Sequence, residues 1–303
     1  TNKTTLEIVQ FLKSLNKKII INSIFLVLAN ICFAFDWPQD DITKDSFKSY
    51  YGQYRGGQIS TSVVFENHTN IKAAENGELL IIMTNNNDDN DFFPTTLGHS
   101  VILSHQDNIL SVYGNLDKSS IDITPKQNEQ DINIGEYFAQ TGNSGWQDKF
   151  SSLEFQIIDI KNSSSINPKV LMTRTENEIP LHLTDIILKN KNGNIIDLAI
   201  SKTIPTGLYK IYKKRNAVAC PYKTSVYLNG VVVDTVSYDI TIQENGKICV
   251  LGKKKYTLED IYPNETNQLI GEAILTPGKT TLTLNSTDIL GKNTQKNFNL
   301  NVK

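Results

Sequence analysis

Short segments in which hydrophobic and polar residues alternate dominate the chain after residue 35. In the first half these segments are TSVVF (61–65), GELLIIM (77–83), HSVILSH (99–105), ILSVYGNL (109–116) and SSLEFQIIDI (151–160). They are rich in β-branched and aromatic residues and are separated by Gly, Asn or Asp, which is typical of strands joined by turns. Outside the N-terminal leader, no segment keeps the period of an amphipathic helix. The first half is predicted to form antiparallel strands, with one hairpin turning at residues 106–108.

The second half shows the same pattern with sharper turn signals. Asn229-Gly230 lies inside SVYLNGVVVDTV and Asn245-Gly246 inside ENGKICVLG, and both dipeptides favour the positive φ angles of a two-residue hairpin turn. The C-terminal segment NFNLNV alternates strictly, so its hydrophobic residues share one face of a strand. Strands with a single hydrophobic face bury that face against a second sheet. The sequence therefore predicts an all-β protein whose second half is a β-sandwich.

A polar segment separates the two halves. Residues 161–169, KNSSSINPK, are rich in serine and end near a proline, which is typical of a linker. A chain of 303 residues has room for about two domains. We therefore predict a leader region over residues 1–34, a first domain over residues 35–162 and a second domain over residues 163–303.

The leader has the composition of a secretory signal. Lys17 and Lys18 precede an apolar run over residues 19–33, and the small residue Ala34 follows it. The run is shorter than the roughly 20 apolar residues of a membrane-spanning helix. We expect cleavage after Ala34, which leaves no transmembrane helix. Acylation of Cys32, which would tether the N-terminus to the membrane, is the alternative.

Composition narrows the possible functions. Hydrophobic residues make up 39% of the chain and charged residues 20%, which fits a folded core. A formal net charge of -2 and a pI near 6.1 provide no basic surface for nucleic acid. If Cys32 leaves with the signal, Cys220 and Cys249 remain. In an oxidising compartment they either pair as a disulfide or stay as two buried thiols, and the sequence leaves both possibilities open.

Three stretches of the first half, in a fixed order, carry a family resemblance. They are NIKAAENGELL (70–80), GHSVILSHQDNILSVYGNL (98–116) and TGNSGWQDKFSSLEF (141–155). Over roughly residues 50–160 the chain resembles the lysostaphin/LytM-type zinc endopeptidases, which cut peptide cross-links in bacterial cell walls. In that family the second stretch ends in Tyr-x-His-Leu, and the third runs from a glycine-rich turn into His-x-His. The resemblance implies an antiparallel LytM-like sheet.

The second half resembles the immunoglobulin-like modules that follow such peptidase domains. The stretches TGLYKIYKK, PYKTSVYLNG and LTPGKTTLTLNSTDILGKN carry this similarity. The expected fold is therefore an all-β, LytM-like domain followed by an immunoglobulin-like β-sandwich.

The resemblance also identifies the positions that hold zinc in the family. Counting back from Gly77 places the family's His-x-x-x-Asp ligand pair at Gln58 and Ser62. The third ligand, the last histidine of His-x-His, falls at Glu154. The two histidines that assist catalysis fall at Asn115 and Ser152. All five positions have changed.

These replacements remove the chemistry of the family. A catalytic zinc needs about three imidazole, thiolate or carboxylate ligands and one open position for water. Gln58 and Ser62 offer a neutral amide and a neutral hydroxyl, so Glu154 is the one competent ligand. Without zinc, no water is brought to a pKa near neutrality. We therefore expect no cofactor and no hydrolysis.

Other side chains are candidates for a groove near the altered site. His105 keeps a position typical of the family, and Tyr113 lies on the same predicted hairpin. Trp146 and Phe150 lie in the loop before Ser152, where they either fill the vacated groove or offer a stacking surface.

The resemblance and the altered positions together predict an exported pseudoenzyme of the periplasm or cell envelope. Its expected partner is peptidoglycan or a cell-wall hydrolase that it regulates. One alternative is an active metallopeptidase with a rearranged site that uses Glu154 and His105. Another is a surface adhesin that uses the edges of the sandwich.

Overall fold

The computed structural model describes residues 35–84, 95–123, 131–146 and 151–303, and strands dominate these ranges. The leader, with Cys32 and Ala34, and Phe150 lie outside the described residues. None of the helices in the described part of the chain has the length and apolarity that crossing a bilayer requires. Residues 36–303 form one compact unit.

The first half contains twelve described strands, and most of them are short. They are β1 (Phe47–Ser49), β2 (Tyr54–Arg55), β3 (Gln58–Ile59), β4 (Val63–Phe65), β5 (Asn70–Lys72), β6 (Gly77–Met83), β7 (Ser100–Ser104), β8 (Ile109–Gly114), β9 (Asp131–Ile132), β10 (Tyr137–Gln140), β11 (Glu154–Asp159) and β12 (Ser164–Ile166). Three short 3-10 helices accompany them, at Lys44–Ser46, Gln106–Asn108 and Lys118–Ser120.

The second half contains longer strands. They are β13 (Ile187–Asn190), β14 (Ile195–Asp197), β15 (Thr203–Ile204), β16 (Gly207–Lys214), β17 (Lys223–Leu228), β18 (Val231–Glu244), β19 (Lys247–Leu251), β20 (Lys255–Tyr256), β21 (Asn267–Leu275), β22 (Gly278–Thr287) and β23 (Asn293–Val302). The described α-helices have four residues each, α1 (Pro168–Leu171) and α2 (Leu258–Ile261).

One large sheet runs through both halves. Its strands follow the order β15-β23-β22-β17-β18-β12-β11-β8-β7-β6-β9, with β4 also paired to β11 and β19 to β18. The pairs along this path are antiparallel except the short β15–β23 pair. The prediction of an all-β, antiparallel fold is confirmed.

The segment predicted as a linker is instead a strand of this sheet. Within residues 161–169, β12 pairs with β11 on one side and with β18 on the other. Ser165 is buried, and its hydroxyl donates to the carbonyls of Thr61 and Ile157 at 2.9 and 3.1 Å. Serine fits this buried place because backbone acceptors satisfy its hydroxyl. Polarity alone therefore gave the wrong interpretation.

The second half has two sheets packed face to face. The large sheet contributes β17, β22 and β23, and the order of the second sheet is β14-β13-β16-β21. The buried core between them contains Leu183, Ile186, Leu188, Leu198, Ile204, Tyr209, Ile211, Val226, Ile270, Ala273, Leu275, Leu282, Leu284, Leu300 and Val302. The predicted turns are present, since Asn229 and Asn245 have φ angles of 50°. That this sandwich is of the immunoglobulin type stays a prediction.

A second core joins the halves within the compact unit. Ile59 of the first half packs with buried residues of the second half, namely Tyr212, Val236, Tyr238, Val250, Tyr256, Ile261, Tyr262 and Leu269. The Tyr262 hydroxyl donates to the carbonyl of Gly52 at 2.7 Å. The ring of Tyr54 lies 5.7 Å from that of Tyr262. The segment around β2 and β3 is therefore held by the second half.

A buried hydroxyl at this junction generates a stability prediction. Tyr51 donates to the carbonyl of Ser165 at 2.5 Å and accepts from the Thr241 amide at 2.7 Å. Tyr51→Phe leaves both buried groups without this partner, so we expect a loss of about 1–3 kcal/mol in the free energy of unfolding. Urea unfolding followed by fluorescence measures the change. The exposed hydroxyl of Tyr137 donates to Asp40, so Tyr137→Phe is the control and should leave the midpoint unchanged. Equal midpoints for the two variants would contradict the prediction.

Candidate functional site

Two of the three ligand-equivalent positions lie together where β4 and β11 meet. Glu154 begins β11 and lies opposite Val64 of β4 and Gly114 of β8. Ser62 immediately precedes β4 and is buried. Its hydroxyl donates to Oε1 of Glu154 at 2.7 Å. The sheet register therefore preserves the meeting point of these positions, although the side chains have changed.

Arg55 occupies this meeting point with a positive charge. Its two terminal guanidinium nitrogens donate to the two carboxylate oxygens of Glu154 at 3.0 and 3.1 Å. The exposed fractions of the two side chains are 33% for Arg55 and 13% for Glu154. A bidentate guanidinium–carboxylate pair is among the stronger charge-assisted contacts in proteins. The carboxylate of Glu154 is therefore neutralised by the chain itself.

A tight hairpin brings Arg55 to this place. Gly56 and Gly57 connect β2 to β3 and have φ angles of 57° and 79°, as a two-residue hairpin turn requires. Arg55 lies directly opposite Gln58 across this turn. The neighbouring pair, Tyr54 and Ile59, packs against the second half. The turn and the junction core therefore fix the position from which Arg55 reaches Glu154.

Gln58, the first ligand-equivalent position, lies on this hairpin and is exposed. It lines a cavity of about 200 Å³ together with residues 246–248 and 258–259 of the second half. The family position that supplies a metal ligand therefore faces the second half of this chain.

The donor set does not fit a zinc centre. Ser62 and Gln58 are neutral, and both oxygens of Glu154 are engaged by Arg55. A dication at this place would also lie close to the guanidinium and be repelled by it. Among the described residues there is no group of three or more His, Cys, Asp or Glu side chains that could hold a metal ion.

The two positions that assist catalysis in the family are buried here. The side-chain oxygen of Asn115 accepts from the amides of Ser144 and Gly145 at 2.9 and 2.7 Å. Its side-chain nitrogen donates to the carbonyl of Ser152 at 2.6 Å. Asn115 and Ser152 are both fully buried. Asn115 therefore ties the glycine-rich loop to the segment before β11.

Two glycines allow this loop to pack so closely. A Cβ atom on Gly98 would collide with the backbone of Ser144, and one on Gly142 with the backbone of Leu116. The loop shape therefore depends on direct backbone contact and on the Asn115 side chain.

His105 belongs to a different hydrogen-bonded group. Its Nδ1 lies 2.8 Å from the carbonyl of Asn76, and its Nε2 lies 2.7 Å from the Ser111 hydroxyl. Burial lowers the pKa of His105. Ser111 is three residues from Gly114, which pairs with Glu154, so this group lies about 10 Å along the sheet from the ion pair. His105 and Glu154 therefore do not form one site.

Tyr113, proposed from the sequence as a groove residue, is fully buried. Its hydroxyl accepts from the Ala74 amide at 2.8 Å, and its ring packs against those of Phe138 and Phe155. Burial raises the pKa of Tyr113 to about 12. This side chain contributes to the core and not to a ligand surface, because its strand faces inward at this position.

Trp146 lies on the loop held by Asn115, and its side chain points to solvent. Its exposed fraction is 65%, and its backbone amide donates to the carbonyl of Thr96 at 3.0 Å. Of the two interpretations of Trp146, this exposure contradicts the one in which its ring fills the vacated groove. Its partner in that interpretation, Phe150, lies outside the described residues.

Two other histidines and the two described cysteines lie at separate positions. His68 contacts the hydroxyls of Thr141 and Ser151, and His99 precedes β7. Cys220 and Cys249 are separate thiols in this structure, so the disulfide alternative is not formed.

Arg55 is the site residue that sequence reasoning missed. The available signal was the Gly-Gly turn after Tyr54-Arg55, which predicts a hairpin that places Arg55 opposite the first ligand-equivalent position, Gln58. The pairing of Arg55 with Glu154 joins residues 99 positions apart and is not visible in any local pattern.

Two family models match the chain. The model of Peptidase family M23 matches residues 58–168. A second model, which carries no descriptive name, matches residues 180–303. A search among curated proteins found no match.

Solved structures resemble part of the chain. The catalytic domain of a point mutant of the prophage-encoded M23 protein EnpA from Enterococcus faecalis is 20% identical, with a TM-score of 0.34, over 45% of this chain and 95% of that one. LytU is 20% identical, with a TM-score of 0.33, over 44% and 87%. A zinc-containing peptidase from Vibrio cholerae is 15% identical, with a TM-score of 0.35, over 48% and 41%.

These structural similarities are too low to support an inference about function, so the family assignment rests on the sequence match. That match spans β3 to the start of α1 and contains every ligand-equivalent and catalysis-equivalent position described above. The chain contains a domain of Peptidase family M23 at residues 58–168.

Proposed function

We propose that the chain is an exported, non-catalytic M23-type protein that binds peptidoglycan in the cell envelope. The bidentate pair between Arg55 and Glu154 is the observation that carries this proposal. Glu154 is the one ionisable side chain at the three ligand-equivalent positions, and its charge is already balanced. Export rests on the basic and apolar leader over residues 17–34.

An internal cation replaces the zinc ion in this arrangement. A guanidinium balances the charge of a carboxylate, but it has no open coordination position and does not activate a water molecule. Zinc would have to displace Arg55 and would then gain the carboxylate of Glu154 and two neutral groups as ligands. A set of three competent ligands is the usual minimum for a catalytic zinc.

The catalysis-equivalent positions support the same conclusion. The side-chain amide of Asn115 does not titrate near neutral pH, and its donor and acceptor are both engaged by the loop. Ser152 is fully buried. Neither residue can exchange a proton with a substrate as an imidazole does.

A rearranged metallopeptidase that uses Glu154 and His105 is disfavoured by the geometry. The two side chains belong to separate hydrogen-bonded groups about 10 Å apart along the sheet. One metal ion cannot be bound by both, because ligand distances to zinc are about 2 Å.

Binding without hydrolysis fits the parts of the M23 domain that are retained. The loop over residues 142–146 keeps its close backbone packing and presents the exposed ring of Trp146. Indole rings provide large, rigid surfaces for sugars and peptides. Peptidoglycan contains both sugars and peptides in one polymer.

The first prediction from this proposal concerns metal content. After incubation with zinc and dialysis against zinc-free buffer, the purified chain should contain less than roughly 0.1 zinc per molecule. A variant with Arg55→Ala, Gln58→His, Ser62→Asp and Glu154→His restores the family ligands and should bind about one zinc. Elemental analysis by mass spectrometry measures both. Stoichiometric zinc in the native chain that Glu154→Ala removes would contradict the proposal.

The second prediction concerns the ion pair itself. In a double-mutant cycle of Arg55→Ala and Glu154→Gln, the coupling free energy should be about 1–2 kcal/mol, because Glu154 is largely buried. Chemical unfolding measures all four proteins. The exposed pair Lys255–Glu244 provides a matched cycle that should give a smaller coupling. If the coupling free energy between Arg55 and Glu154 is no larger than that of the control pair, the ion pair does not stabilise the site.

The third prediction concerns the ligand. The native chain should co-sediment with purified sacculi and release no soluble fragments from them. Trp146→Ala should weaken this binding roughly 3- to 10-fold, since an aromatic contact is lost. Ile200→Ala, which changes an exposed apolar residue of the second half, should have no effect. A native chain that stays in solution but is recovered with an envelope hydrolase would favour the role of hydrolase regulator.

A further inference from the structure

A cavity of the second half is lined by residues within 189–272, outside the M23 domain. Its volume is about 590 Å³, and it opens on the outer face of β13 and β16 beside α2. The residues lining it combine charge and apolar surface, and they are Lys189, Asn190, Lys191, Asn192, Gly193, Leu208, Lys210, Tyr212, Lys254, Glu259, Pro263 and Glu272.

The lysines of this cavity are only partly neutralised. Lys210 pairs with Asp260, and Lys254 pairs with Glu272 at 2.7 Å. Among the ion pairs of the described residues, none includes Lys189 or Lys191. Two positive charges are therefore left at the rim of the cavity.

The position of Lys189 is unfavourable without a ligand. It lies directly opposite Lys210 in the antiparallel β13–β16 pair. Like charges at directly opposite positions destabilise a sheet. Asp260 relieves one side of this repulsion, and an anion bound in the cavity would relieve the other.

Lys191 is carried by a well-ordered turn. The side-chain oxygen of Asn190 accepts from the amides of Asn192 and Asn194, each at 3.0 Å. Gly193 provides the positive φ angle of 84° that closes the turn. The backbone at Lys191 is therefore fixed before any ligand arrives, which lowers the entropic cost of binding.

A tyrosine at the cavity adds a hydrogen-bond donor. Tyr212 lines the cavity, and most of its side chain is buried in the junction core. Its hydroxyl is not among the described polar atoms that are buried without a hydrogen-bond partner. A tyrosine hydroxyl can donate to a ligand oxygen in the cavity.

Apolar surface continues from the cavity along the sheet. Leu208 lines the cavity and lies directly opposite Ile274 on β21, and their exposed fractions are 47% and 58%. An exposed pair of this kind suits small aliphatic side chains. The ligand that fits the whole surface has a carboxylate at one end and methyl or methylene groups at the other.

We propose that this cavity binds a short peptide with a free carboxylate, held by Lys189, Lys191 and the Tyr212 hydroxyl. This inference rests on the proposed function for its biological source, which is the stem peptide of peptidoglycan. Glu272 and Glu259 line the same cavity, and each already pairs with a lysine, Lys254 and Lys247 respectively. Their remaining lone pairs can accept from the amino groups of the peptide. A lysine ammonium group is a compact point charge with three donors, so each lysine can pair with one carboxylate oxygen.

The test is a titration of the full chain with a fluorescent synthetic stem pentapeptide that ends in D-Ala-D-Ala. The double variant Lys189→Ala/Lys191→Ala should weaken binding roughly 5- to 10-fold, and Tyr212→Phe roughly 5-fold. The matched control is Lys279→Ala/Lys292→Ala, which removes two exposed lysines from β22 and the β22–β23 turn. The control should bind like the native chain. A peptide with amidated carboxylates should bind weakly to every variant.

The outcomes separate this site from the proposed function. If sacculi are bound but the pentapeptide is not, or if both lysine variants bind it equally, the cavity proposal is wrong and the proposed function stands. If the pentapeptide is bound through Lys189 and Lys191 but sacculi are not, the cavity proposal stands and the proposed function is wrong. Full displacement of the peptide by equimolar inorganic phosphate would overturn the preference for carboxylates.

Discussion

The contact between the guanidinium of Arg55 and the carboxylate of Glu154 balances the charge at the ligand-equivalent positions of the first half. A largely buried carboxylate needs a compensating charge nearby, since leaving it unpaired costs several kcal/mol. In a zinc peptidase the metal provides that charge; here a side chain of the protein provides it. The compensating charge at the ligand-equivalent positions therefore comes from within the chain. The same contact engages both oxygens of Glu154, the one carboxylate among these positions.

The position of Arg55 depends in turn on the second half of the chain. The hairpin that carries it is two residues long on each side and would not be stable alone. Tyr54 and Ile59 anchor it against Tyr262 and the rest of the junction core. Arg55 can therefore stay paired with Glu154 because both halves belong to one compact unit. The altered ligand-equivalent positions of the first half are therefore linked to packing in the second half.

The strands could be predicted from the sequence, because alternating hydrophobic and polar residues and Asn-Gly turns are local signals. For example, the segment GELLIIM begins and ends at the same residues as β6. It failed where tertiary contacts reverse a local preference. Ser165 looks like linker sequence, yet backbone carbonyls satisfy its hydroxyl inside the sheet. The family resemblance located Ser62 and Glu154, which the sheet register brings together. Arg55 was not identified from the sequence because its partner, Glu154, lies 99 residues further along the chain.

The two proposed ligand contacts, at Trp146 and at the lysine-lined cavity, are each weak. Weak contacts are sufficient when the ligand is a polymer that offers many copies of each. Trp146 offers one aromatic surface, and the lysine-lined cavity offers at most two or three polar contacts. A free peptide or sugar would therefore leave either place quickly. Peptidoglycan repeats both units many times, so a chain bound at one place meets the other at high effective concentration. Moderate single-site affinity is what a protein needs if it is to remain on such a polymer and still move along it.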